Sequence, residues 1–154
     1  MVVLGIDPGF TVTGFGVLKK DGKQVYLIDY GYLKLNPKDS LSTRIGIFYH
    51  LLDQKIKKLG VTHVSLETSF LGKNAQNFLK LGYLRGVLYL LADQNNLKIS
   101  EFTPRQVKQN ATGFGGASKD QVARAVCQLF SGFKYPDKQD VTDALAVSLC
   151  GLWN

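Results

Sequence analysis

Apolar residues open the chain as an unbroken run, VVLGI over residues 2 to 6, and the run stops at Asp7. A run without polar alternation suits a strand buried on both faces. Residues 12 to 18 and 24 to 35 carry two further strand patterns, joined through KKDGK, whose Asp-Gly pair is a strong hairpin signal. Gly9, Gly14 and Gly16 are expected to permit a tight reversal after Asp7. The chain thus begins as a three-stranded meander.

From Ser40 the period lengthens. Leu41, Ile45, Phe48, Leu52, Ile56 and Leu59 recur every three or four residues, which predicts a helix with Ser40 as N-cap and Gly60 as its stop. VTHVSLE (61 to 67) then reads as a buried strand that, like the first, ends on a carboxylate, Glu67. Residues 74 to 94 form a long helix in which Phe78, Leu81, Tyr83, Leu84, Val87, Leu88, Leu90 and Leu91 spread over more than one stripe. Such a helix is expected to be buried on two sides, within the domain and against a second subunit. A strand near 97 to 102, a short helical turn after Pro104, a glycine-rich loop GFGGAS, and helices near 118 to 131 and 140 to 152 complete the pattern. The order βββαβαβ followed by helices describes an α/β fold. No repeat, low-complexity tract or linker divides it, so residues 1 to 154 are read as a single domain.

Composition narrows the class of partner. The chain has 154 residues, 45% of them hydrophobic, enough for one core. Lys and Arg number 19 against 12 Asp and Glu, a formal net charge of +7, which favours an acidic polymer as partner while staying within what solubility alone tolerates. Cys127 and Cys150 form no metal or disulfide spacing, so a reducing compartment is expected. No apolar run is long enough for a signal or membrane segment, and the expected location is the cytoplasm, away from any membrane.

The candidate chemistry is acidic. If the first and fourth strands are parallel neighbours, Asp7 and Glu67 meet at one edge of the sheet, where sites in such sheets lie. Asp140 and Asp143, in DKQDVTDALA, open the last helix at spacing i, i+3, about 300° of rotation and about 4.5 Å of rise, and so share a face. Each acid alone has a structural explanation. Asp7 suits a turn, Glu67 a strand end, Asp140 a helix N-cap and Asp143 the helix dipole. Gathered together they repel, by about 4 kcal/mol per pair at about 4 Å and an effective dielectric of 20. Divalent cations would neutralise them, and Mg²⁺ favours carboxylate oxygens, water and substrate phosphate. Two such ions would activate a water and stabilise a leaving oxygen in phosphodiester hydrolysis. Lys138 offers the blander neutralisation.

GIDPGFTVTGFGV, LETSFLGKNAQNFLKLG, PRQVKQ, GGASKDQV and DVTDALAV, in this order, resemble the RuvC crossover junction endodeoxyribonucleases across almost the whole chain. The resemblance implies an RNase H-like mixed β-sheet, a three-stranded antiparallel meander plus parallel strands, flanked by helices. It implies a homodimer that resolves four-way (Holliday) junctions in recombination and repair, cutting two strands of like polarity symmetrically to leave 5′-phosphate and 3′-hydroxyl ends. The family's acidic metal ligands fall on Asp7, Glu67, Asp140 and Asp143, with Mg²⁺ as cofactor, two ions per site, and Mn²⁺ as a substitute. A branch-migration motor is a further implied partner.

The same resemblance gives Phe70 a base-stacking role at the opened crossover, and Lys108 and Lys119 a place near the scissile phosphate. Lys73, Arg105 and Arg124 would extend the basic surface. Between residues 104 and 138 six basic residues stand against two acids, as a phosphate-receiving groove requires. His50 and His63 match no catalytic role. The rivals are a sugar-kinase-like ATPase, which needs a second domain, another small RNase H-like nuclease acting on RNA, and a junction-binding module without catalysis. The long apolar helix and the intact set of four acids favour the resolvase.

Overall fold

The computed structural model describes residues 1 to 68, 74 to 130 and 132 to 153. Strand β1 (Val2–Asp7) pairs antiparallel with β2 (Val12–Asp21), which pairs antiparallel with β3 (Gln24–Lys34) through a two-residue turn at Gly22 and Lys23. Gly22 has φ +57°, the left-handed conformation such a turn asks of its first residue. On the other side of β1 lie β4 (His63–Glu67) and then β5 (Lys98–Phe102), both parallel to their neighbours. The sheet order is β3-β2-β1-β4-β5, which puts the apolar first strand at its centre.

Helices cover both faces. Helix α1 (Leu41–Leu59) carries the expected caps, with the Ser40 side chain accepting from the Thr43 amide and Gly60 left-handed at φ 63°. It packs with α2 (Ala75–Gln94) over Leu4, Ile6, Val17, Val64 and Leu66. On the opposite face α3 (Pro104–Thr112), α4 (Lys119–Leu129) and α5 (Gln139–Trp153) enclose a second apolar cluster around Val126, Leu145 and Leu149. Ten residues of α5 are buried, from Val141 to Leu152, so it is the central helix of that layer. No helix among the described residues is long and apolar enough to cross a membrane.

Four details differ from the sequence reading. The turn after Pro104 is a nine-residue helix, α3, because Thr103 and Gln106 form a reciprocal capping box and Gly113 closes the other end. Its single buried residue, Val107, left almost no apolar period to read. Asp140 sits inside the first turn of α5 and not at its N-cap, since the helix begins one residue earlier. In α2 the buried side chains are Leu84, Leu88, Leu91 and Ala92, whereas Phe78, Leu79, Tyr83 and Leu90 are exposed, so this chain buries only one of the two apolar sides.

Gly14 and Gly16, finally, do not form the reversal after Asp7. Both lie within β2, and the turn itself is held by Thr13 Oγ1, which donates to the Gly9 carbonyl and accepts from the Gly9 amide. The strand glycines instead make room for α5. A Cβ on Gly14 would collide with the Asp140 carbonyl, and one on Gly5 with Ser148 and the Ala144 carbonyl. In the space so provided, Ser148 Oγ lies 2.9 Å from both the Gly16 and Ala144 carbonyl oxygens and donates to them.

Candidate active site

The parallel pairing of β1 with β4 matches Ile6 with Leu66, so the next residues, Asp7 and Glu67, leave the sheet side by side at its carboxyl edge. The close seat of α5 brings its first turn over that edge. Asp7, Glu67 and Asp143 line one cleft of about 220 Å³ together with Lys108 from α3 and Lys119 from α4. Val107, Val122 and Val147 supply its apolar wall. Asp140 lines an adjoining cleft of about 400 Å³, with Lys138, Lys80 and Asn77.

The electrostatics follow from this packing. Burial pushes the Asp7 carboxyl up to about 7, and the negative charges of Asp143 and Asp140 push the same way, while Lys119 opposes them. Glu67 is also raised, first by burial and then by Asp143, against the pull of Lys119 and Lys108. Lys119 Nζ stands 3.0 Å from Asp143 Oδ2, and this hydrogen bond holds its own pKa above the ordinary lysine value. Lys119 is therefore the cation that answers the acids. Lys138, the candidate neutraliser from sequence, makes no ion pair with any acid among the described residues.

No three His, Cys, Asp or Glu side chains among the described residues stand close enough to hold an ion as placed. The carboxylates border an open cleft and do not form a closed cage. Their chemistry still fits a hard divalent ion, because the donors are all carboxylate oxygens and because Mg²⁺ binds through one or two carboxylates while keeping waters and substrate phosphates. The elevated Asp7 marks the same need, a buried carboxyl short of positive charge.

Of the basic residues expected to meet phosphates, Lys108 and Lys119 face the carboxylates. Arg105 lies on another side of α3, beside Thr103, Gln106 and Gln109, and Arg124 is exposed on α4. Phe70 and Lys73 lie outside the described residues. His63 begins β4, at the opposite end from Glu67, with its Nδ1 2.8 Å from Thr62 Oγ1, and His50 is exposed on α1.

Arg85 was missed by the sequence reading. Its Nη1 donates to the Glu67 carbonyl at 2.8 Å and its Nη2 pairs with Glu101 Oε1 at 2.5 Å, which ties α2 to the ends of two strands at the site. A lone arginine in a mainly apolar helix was the available signal.

A central five-stranded mixed sheet with acids at its carboxyl edge, covered there by the first turn of a buried helix, is an RNase H-like fold. The yeast mitochondrial Holliday junction resolvase Ydc2 shares this fold, with a TM-score of 0.70 at 15% identity over 96% of this chain and 76% of that one. The family model for crossover junction endodeoxyribonuclease RuvC matches residues 3–151, and the chain belongs to that family. RuvC of Chlorobium phaeovibrioides is 44% identical over 99% of this chain and 81% of its own length, and that of Natranaerobius thermophilus 39% over 97% and 93%. The structure of Thermus thermophilus RuvC in complex with Holliday junction substrate matches with a TM-score of 0.91 at 28% identity, over 97% of this chain and 92% of that one.

Proposed function

We propose that the chain is a Holliday junction resolvase, a DNA endonuclease that cuts four-way junctions by metal-dependent hydrolysis in recombination and repair. One observation carries the reading. Asp7, Glu67 and Asp143 converge from two parallel strands and a third element on one cleft, with Asp140 one helical turn away and two lysines among them. Membership of the family supplies the substrate class.

Asp7, Glu67, Asp140 and Asp143 would hold Mg²⁺, two ions per site, which when bound would activate water and stabilise the leaving oxygen. The chain's own contribution is placement. Strand ends fix Asp7 and Glu67, and the packed body of α5 fixes Asp140 in its first turn and Asp143 one turn further on. Lys119 turns from Asp143 toward an incoming phosphodiester, and Lys108 supports it from the other wall. Water attacks phosphorus, the bond to the 3′ oxygen breaks, and that oxygen takes a proton, leaving 5′-phosphate and 3′-hydroxyl ends.

Two symmetric cuts require two sites related by a dyad, so the working unit is a homodimer. The exposed apolar side of α2, Phe78, Leu79, Tyr83 and Leu90, is the surface offered to the second copy. The cytoplasm is its compartment, and a branch-migration motor is its companion on the same DNA.

The test is Asp7→Asn on a synthetic four-way junction with Mg²⁺. The variant should bind the junction and lose cleavage by at least about 1,000-fold, the range found when one transition-state stabilising group is removed. Full cleavage would remove Asp7 from the site. Equal cutting of linear duplex by the parent protein would remove the junction as its substrate.

A further inference from the structure

Apart from Asp140, the residues that line the cleft beside it have no role in the chemistry just described, yet this cleft is larger than the carboxylate cleft and adjoins it at the start of α5. Lys80 and Asn77 reach it from α2 and Lys138 from the segment before α5, while Gly9, Phe10 and Thr11 of the turn after β1 form its floor. That floor is pinned from behind. Arg44 of α1 places its guanidinium 5.1 Å from the centre of the Phe10 ring and its Nη1 3.4 Å from the Phe10 carbonyl.

Lys80 and Lys138 pair with no acid among the described residues, although Asp140 lines the same cleft. Two cations against one carboxylate leave the cleft positive, whereas the neighbouring cleft sets three carboxylates against two lysines. Adjacent clefts of opposite balance suit a polyanion that passes through both. Asn77, Lys80 and Leu81 also lie toward the side of α2 that carries Leu84 and Leu88, away from Leu79 and Leu90, so a second copy on the exposed side leaves the cleft open.

We propose that this cleft is a second phosphate subsite, in which Lys80 and Lys138 grip the phosphodiester next to the one being cut on the same strand. It rests on the resolvase reading and adds to it two residues that position substrate without touching the reacting bond. Gripping the neighbouring phosphate fixes the register of the strand across Asp7 and Asp143.

The test measures junction binding by the full chain in EDTA over a range of salt concentrations. Lys80→Ala and Lys138→Ala should each weaken binding and make the slope of log affinity against log salt shallower by about 1, one lost phosphate contact apiece. Lys23→Ala, in the β2–β3 turn, should leave affinity and slope nearly as they are. Lys80→Arg and Lys138→Arg should restore both, and all variants should melt with the parent. Unchanged slopes in both alanine variants, with a parent that binds and cuts junctions, would overturn the subsite alone. A parent that fails to bind junctions would overturn the subsite together with the resolvase reading.

Discussion

Helix α5 lies so close to the sheet that Gly5, Gly14 and Gly16 stand beneath it, whereas α2, over the opposite face, leaves Gly82 and Gly86 facing open space. The first contact is complete within one chain: ten residues of α5 are buried, and Ser148 bonds to a β2 carbonyl. The second is half made, since Leu79 is 57% exposed and Leu90 49% while Leu84 and Leu88 are fully buried. The difference separates two tasks. Close packing holds mutually repelling acids at one edge of the sheet, and the unfinished surface is the one the proposed homodimer would cover.

The largest effect should come from breaking the close contact. Gly5→Ala places a methyl against Ser148 and the Ala144 carbonyl, backbone that cannot yield as a flexible side chain would. Overpacking costs about 1–3 kcal/mol when neighbours adjust, and here the upper end or more is expected. Urea unfolding should show the loss, and cleavage should fall with it because α5 carries Asp140 and Asp143. A stable, active Gly5→Ala would mean that α5 has slack to move.

Next in size is the electrostatic cost of what that packing holds. Folding raises Asp7 from 3.8 to about 7, so the folded state binds the extra proton between those values. The sign follows: for the metal-free protein stability falls as pH rises through that window, and the whole cost is present above about 7. A shift of about three units equals about 4 kcal/mol, of which relaxation should leave about half. Asp7→Asn should therefore be more stable than the parent by about 2 kcal/mol at pH 8 without divalent ions, with the gain shrinking toward pH 4. Melting curves at both pH values check it, and a variant less stable than the parent at pH 8 would remove the cost of burying Asp7 beside other acids from the account.

Much of this design was legible in the sequence, and what escaped has physical causes. The β1 run, the α1 caps and the spacing of Asp140 and Asp143 are local, and local periodicity carried them. Gly14 and Gly16 looked like turn residues because their reason, the approach of a helix more than a hundred residues later, is not local. Lys119, not Lys138, pairs with an acid of the site, because α4 docks on α5, which spacing cannot show. Arg85 serves a backbone carbonyl, and no side-chain motif records such a partner. The meeting of Asp7, Glu67 and Asp143 at one cleft follows from the strand ends and the last helix, but the place of Asp140 in the neighbouring cleft and the open arrangement of the acids depend on distances that only the fold sets.

The unfinished surface can be broken separately. Leu79→Lys with Leu90→Lys adds two charges to the exposed side of α2 and removes no buried contact. The dissociation constant of the proposed dimer should rise at least tenfold, about 1.4 kcal/mol, while the melting of the monomer stays within about 0.5 kcal/mol of the parent. Sedimentation velocity across a concentration series reads the first, and circular dichroism the second. An undisturbed dimer would place the interface elsewhere.

The smallest effect is the most discriminating, because it contrasts two glycines that look alike in one chain. Gly46 in α1 and Gly86 in α2 both have room for a Cβ. Replacing either by alanine should stabilise its helix by about 0.5–1 kcal/mol, since glycine spends more backbone entropy there. For Gly46→Ala the gain should appear as a rise of about 2–4 °C per kcal/mol in melting temperature, the same at every protein concentration. Gly86 lies among the exposed apolar residues of α2, where in the proposed dimer the absence of a side chain would let a second helix come near. Gly86→Ala should thus stabilise the monomer and loosen the dimer, so its advantage fades as concentration rises. Equal gains from both alanines at all concentrations would show that Gly86 faces only solvent in the assembled protein, and that the surface of α2 is less specific than its composition suggests.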